Sequence, residues 1–188
     1  MEPGDRRAQL LRAAREVFAR VGYHHAGVSD IVAAAGVARG TFYNYFDSKR
    51  AVFQAVLQDM TLEIAAVVRP IDVREDIPVQ VRANLDRIVR AVMAEDVVRV
   101  LFSEAVGIDE EGDALLRDFY ASVLDRVERA LGTGQRLGVV REGDAKLRAR
   151  ALVGVIKEPL FQATLFGEAV DVDRFVDELL PILWGILQ

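Results

Sequence analysis

The side chains best placed to do chemistry stand within seven residues: Arg39, Thr41, Tyr43, Asn44 and Tyr45. They are hydrogen-bonding groups rather than a nucleophile with its base. An arginine donates to guanine or to phosphate, threonine and tyrosine hydroxyls reach phosphate oxygens, and asparagine and tyrosine meet base edges. A tyrosine taken alone is as readily a core aromatic. Here Phe42 and Phe46, four residues apart, take the inward positions of a short helix over 39–45 and turn the polar set towards its other faces.

The elements around that helix must hold it. Val28 to Ala35 carries Ile31, Val32, Ala34 and Ala35 at helical spacing and reads as a compact helix. Gly36 follows where a helix end needs positive φ, and Val37 is placed for the apolar contact of a glycine C-cap. Asp47-Ser48 is an N-cap signal for a helix opening at Lys49. Two short helices about a glycine turn, over about residues 27–46, make a helix-turn-helix whose second helix enters the DNA major groove. Arg6 to Val21, with Leu10, Leu11, Ala14, Val17, Phe18 and Val21 on one stripe, adds a first amphipathic helix that Gly22 ends.

The run GVARGTFYNYFDSKRAVF resembles the signature of the tetracycline-repressor (TetR) family of bacterial regulators, and LLRAAREVFARVGY resembles the first helix of the same domain. The likeness covers about residues 6–60. It implies phosphate contacts by Tyr43 and Lys49, a readout surface of Arg39, Gly40, Thr41, Asn44 and Tyr45, and a base-facing Ser29. The family usually has threonine near positions 26 and 27, capping the second helix and touching phosphate. Ala26 and Gly27 stand there instead, which leaves that contact to Ser29 or a backbone amide.

Composition bounds the alternatives. With 52% hydrophobic and 28% charged residues over 188 positions the chain is globular. Its longest run without a charge, Leu179 to Gln188, falls well short of the about 20 residues that span a bilayer. No signal peptide is expected, there is no cysteine, and a cytoplasmic location is the default. The net charge of −5 hides an asymmetry: residues 1–50 hold eight basic and five acidic side chains, leaving −8 on the rest. A basic reader on an acidic body fits a specific DNA binder better than a general polyanion binder. His24 and His25 are the only histidines; adjacent, they lack the spacing of a zinc pair on a helix. No Ser-His-Asp set, cysteine nucleophile or phosphate-binding glycine loop is present, so neither an enzyme nor a cofactor is expected.

The remaining chain reads as helices only, giving an all-α protein of about nine helices. The helix from Lys49 runs towards Val68, about 30 Å, and carries the boundary between a DNA-binding domain (1–65) and a helical effector and dimerisation domain (66–188). After a polar linker at 71–78, helices are expected at Val79 to Glu95, Val97 to Val106, Ala114 to Leu131, Ala145 to about Phe166, and from Asp171 or Asp173 to Ile186, with GTGQRLG (132–138) as a break. The last two are apolar on more than one face and must be buried on more than one side. A two-fold homodimer through Leu152, Val155, Phe166, Phe175, Leu179, Ile182, Leu183 and Ile186 is expected, with a thick monomer core as the alternative. The resemblance further implies a pocket for a small, largely apolar effector that releases DNA. Its expected lining is Met60, Leu85, Ile88, Val92, Leu101, Phe102, Glu104, Phe119, Tyr120, Val123, Ile156 and Leu160, with Lys157 facing either the ligand or a carboxylate. A DNA-binding dimer without an effector, or an activator, is the alternative.

Overall fold

The computed structural model describes residues 3–94 and 110–188, and among them the chain is helical with no strand. Eight helices follow in order: α1 (Pro3–His25), α2 (Val28–Ala35), α3 (Arg39–Tyr43), α4 (Lys49–Val67), α5 (Ile77–Ala94), α6 (Glu110–Arg136), α7 (Ala145–Phe166) and α8 (Val172–Leu187). The all-α expectation holds. The short helix expected at 97–106, with Leu101, Phe102 and Glu104, lies outside the described residues.

The chain forms two compact units. One holds the residues through Leu62 together with α6 as far as Phe119; the other holds Glu63 through α5 and Tyr120–Gln188. The core of the first is aromatic and apolar. Leu10, Val17, Phe18, Ile31, Phe42, Val52, Phe53, Val56 and Met60 are almost wholly out of water. Phe53 meets Phe18 edge-on at 4.9 Å and Tyr23 at 4.6 Å, joining the start of α4 to the C-terminal end of α1. Gly22 does break α1, with a φ of 78° that only glycine adopts freely. Yet the chain does not leave the helix there as expected: a further turn, closed by Ala26 N–H to the Gly22 carbonyl at 3.2 Å, runs on through His25.

In the second unit α5 packs on α8, and α8 on α7. Leu85 and Val89 are buried, as are Val176, Leu179 and Leu183. Arg82 reaches Asp177 at 2.7 Å and Arg90 reaches Asp173 at 2.5 Å. Both pairs are exposed, so the apolar seam dominates their stability. The expected caps form: Asp144 accepts from Leu147 N–H at 3.0 Å and Asp171 from Arg174 N–H at 3.2 Å. The linker is shorter than expected, because Asp76 caps α5 through Val79 N–H at 3.0 Å and Pro78 fits the first turn. It is also pinned. The Asn84 amide brackets the backbone of Arg69 (2.9 and 2.8 Å), and the Gln80 amide brackets Asp72 (2.8 Å twice).

One expectation is corrected here. GTGQ does not break the chain: α6 starts four residues early, at Glu110, and runs through Gly132-Thr133-Gly134 to Arg136. The Thr133 hydroxyl donates to the Arg129 carbonyl, and Gly134 leaves room for Val140, which a Cβ there would meet at 2.6 Å. Gly138, at φ 72°, makes the turn instead. The residues expected at the dimer face differ in exposure. Leu179 and Leu183 are buried within the chain and offer no area to a partner, whereas Phe166 is 70% and Ile182 53% exposed. Leu152, Val155, Phe175 and Ile186 are half-buried.

Candidate nucleic-acid interface

The helix-turn-helix forms from local bonds that its sequence supplies. Gly27 begins α2, and its N–H donates to the Asp30 carboxylate at 2.8 Å, one arm of a capping box. A Cβ at Gly27 would lie 3.1 Å from Ser29 Oγ and 3.2 Å from Asp30 Oδ2, so this tight closure favours glycine where the family pattern has threonine. Ser29 stands exposed on the first turn. At the other end Gly36 takes φ 63°, ψ 36°, donating to Ala33 O at 3.1 Å while Val37 N–H reaches Val32 O at 3.2 Å. This is the glycine C-cap expected of the sequence.

α3 is shorter than the expected 39–45, ending at Tyr43, although Tyr45 and Phe46 N–H groups both bond to Phe42 O at 3.0 Å and continue the winding. Phe42 and Phe46 are buried, 5.8 Å apart. With that anchor fixed, Arg39, Gly40, Tyr43 and Asn44 are exposed, and Thr41 and Tyr45 half-buried. Tyr43, at 45% exposure, is therefore no core aromatic. The Arg39 guanidinium lies 5.9 Å from its ring centroid and donates to its hydroxyl at 3.4 Å. All eight residues expected at the interface are thus described, and seven present at least part of a side chain or a bare backbone on the surface of one short motif.

Lys49 is the eighth and behaves differently. Ser48 caps α4, its hydroxyl accepting from Ala51 N–H at 3.1 Å. The Lys49 ammonium then turns to α1, donating to the carbonyls of Tyr23 at 2.8 Å and His24 at 3.4 Å, with the Tyr23 ring centroid 4.5 Å away. It closes the C-terminal end of α1, where backbone carbonyls lack helical partners and a cation is favoured.

Two contacts were not legible from spacing. Gln9 donates to the Ala35 carbonyl at 2.7 Å, tying α1 to the end of α2, and the exposed Arg7 guanidinium lies 5.4 Å from the Phe46 ring centroid. Each joins residues far apart in sequence, and local spacing carries no signal of either.

The residues expected to line one effector cavity fall in two cores. Met60 and Phe119 are buried in the first unit; Leu85, Ile88, Val92, Tyr120, Val123, Ile156 and Leu160 belong to the second. Lys157 lies 3.8 Å from Glu158 and 5.9 Å from the Tyr120 ring centroid. Burial, and then the Glu158 charge, push the Tyr120 phenol above its ordinary range. Among the described residues no group of three His, Cys, Asp or Glu gathers to hold a metal, and no described helix is long and apolar enough to cross a membrane.

Comparison with known proteins agrees with this geometry. Residues 10–56 match the family model described as bacterial regulatory proteins, tetR family. A relative from Mycobacterium bovis, the uncharacterized HTH-type transcriptional regulator Mb2274c, is 27% identical over 97% of this chain and 95% of its own length. The fold is shared with FadR from Bacillus subtilis in complex with stearoyl-CoA, with a TM-score of 0.79 and 24% identity over 94% of this chain and 96% of that one. It is shared also with AibR in complex with isovaleryl coenzyme A and operator DNA, with a TM-score of 0.70 and 18% identity over 95% and 97%.

Proposed function

We propose that this chain, whose residues 10–56 match the tetR family model, is a TetR-family regulator of transcription: a homodimeric repressor that holds a pseudo-palindromic operator and releases it on binding a small amphipathic effector. The observation that carries the DNA-binding part is the outward face of α3. Arg39, Gly40, Tyr43 and Asn44 stand exposed together on a helix whose orientation is fixed by buried Phe42 and Phe46. Asn44 and Arg39 have the donors that read base edges, while Tyr43, Thr41, Ser29 and Tyr45 supply phosphate and groove contacts. Lys49 supports the reader by bracing α1 against α4.

The chain then comprises a DNA-reading part through about residue 65 and an effector and dimerisation part from 66. Phe166 and Ile182 offer a partner copy its apolar contact. The effector class is an acyl-CoA thioester, since two proteins of the same fold are described with stearoyl-CoA and isovaleryl-CoA. The acyl chain would lie along Leu85, Ile88, Val92, Val123, Ile156 and Leu160. We assign the chain no catalytic step and a cytoplasmic location.

The test is to incubate the purified protein with sheared genomic DNA of its source and sequence what is retained. One or a few palindromic sites, lost in Tyr43→Ala, are the expected outcome. Absence of any enriched site at low salt would overturn the DNA assignment. Acyl-CoAs of increasing chain length are then titrated against the recovered operator. Release by none of them would leave the DNA reading standing and remove the effector class.

A further inference from the structure

We infer that Arg7, in the first turns of α1, is a phosphate contact at the exit of the recognition helix, supplying the cation that the sequence pattern assigns to Lys49. This rests on the DNA-binding reading above and adds to it a residue outside the motif. The Arg7 side chain is exposed, with its guanidinium 5.4 Å from the Phe46 ring centroid. Phe46 is buried and bonded through its N–H to Phe42 O, so its ring is fixed at the end of the α3 winding. Whatever lies over that ring lies beside the recognition helix.

The backbone of Arg7 is held there too. Arg6 donates to the Gln9 side chain at 2.8 Å, and Gln9 donates to the Ala35 carbonyl at 2.7 Å. The first turns of α1 are thereby tied to the end of α2, immediately before the turn into α3. Arg39 repeats the arrangement at the start of α3, 5.9 Å from the Tyr43 ring centroid. Two guanidiniums, each within cation–π reach of a ring, thus bracket one short helix.

Such a contact suits phosphate recognition. It fixes the guanidinium plane with little loss of its in-plane N–H donors, and the planar fork matches phosphate oxygens two at a time. No carboxylate among the described residues forms an ion pair with Arg7 or Arg39. Lys49 contrasts with both, its ammonium held between the Tyr23 and His24 carbonyls. A phosphate contact by Lys49 has to compete with those bonds, whereas the Arg7 guanidinium can meet phosphate while it remains over the Phe46 ring.

The test reads the salt dependence of binding by the full-length protein to a fluorescent random-sequence duplex, over a series of KCl concentrations. Arg7→Ala is expected to lower the log–log slope by about one per bound protomer and to weaken low-salt binding several-fold. Arg7→Gln removes the charge and the contact over Phe46 but keeps a polar, helix-compatible side chain, and must show the same loss with a melting temperature close to that of the unaltered protein. Arg7→Lys should keep most of the slope. A wild-type slope in Arg7→Gln would overturn the assignment of Arg7 while leaving the DNA reading intact. Salt-independent or absent binding by the unaltered protein would overturn the DNA reading and the assignment together.

Discussion

A glycine inside a helix costs roughly 1 kcal/mol relative to alanine, so Gly40 needs a reason. A Cβ built there meets nothing within 4 Å, and the position is exposed. The protein's own packing therefore does not require glycine, and the remaining use of a bare backbone is close approach by something outside it. Gly40→Ala is expected to raise the free energy of unfolding by up to about 1 kcal/mol while weakening retention of the operator. Urea denaturation and operator binding measured on one sample check it, and a stabilised variant that binds as before would remove Gly40 from the interface. Lys49 has the opposite profile. Its bonds to Tyr23 and His24 reach across 26 and 25 residues. Lys49→Met leaves those carbonyls without their charged partner, at a cost of about 1–3 kcal/mol. The urea midpoint should fall accordingly, and the salt slope for duplex binding should change less than in Arg7→Ala. An unmoved midpoint would contradict the bracing role. The motif made the position of Lys49 legible, but not its direction, because the carbonyls that attract it belong to the distant end of α1.

Helices were legible where one residue type settles a local geometry. Gly36 ends α2 because left-handed backbone is needed there, and Ser48, Asp144 and Asp171 open helices because their oxygens accept first-turn N–H groups. Glycine misled where its reason was tertiary. Gly132 and Gly134 read as a chain break, yet both lie inside α6. They differ in what surrounds them. A Cβ on Gly134 would stand 2.6 Å from Val140 Cγ2, whereas one on Gly132 has its nearest neighbour, an Arg136 guanidinium nitrogen, at 3.7 Å. Gly134→Ala must push back the returning 139–140 segment, which Gly134 O also holds through the Val139 and Val140 N–H groups at 3.0 and 3.2 Å. A loss of about 1–3 kcal/mol is expected. Gly132→Ala meets no such neighbour and should gain up to about 1 kcal/mol from helix propensity. Thermal melts of the two variants should move in opposite directions; a shared sign would show that Val140 yields freely, or that the helix is not held through Gly132.

Across the molecule, the apolar character of α7 and α8 was legible as an excess over what one face can bury, but the sorting of residues between the two faces was not. Both faces carry large apolar side chains, so no polarity contrast marks which one turns inward. Val176, Leu179 and Leu183 take the inner side, and Leu165, Phe166 and Ile182 are left outside at 64%, 70% and 53% exposure. Large apolar side chains exposed on both of the last two helices suit cover by a second copy, which the proposed palindromic operator also requires. Phe166→Glu combined with Ile182→Glu places charges on that outer side without touching the inner one. Sedimentation should then report a monomer with unchanged helical circular dichroism. The effect on DNA separates assembly from reading. A dimer engages its second half-site, about 34 Å along the duplex, as an intramolecular event, so its loss weakens binding to the full palindrome far more than to a single half-site. A variant that loses affinity equally on both duplexes has damaged the reader rather than the assembly. A variant that remains dimeric moves the interface away from Phe166 and Ile182, onto half-buried residues such as Leu152, Val155, Phe175 and Ile186.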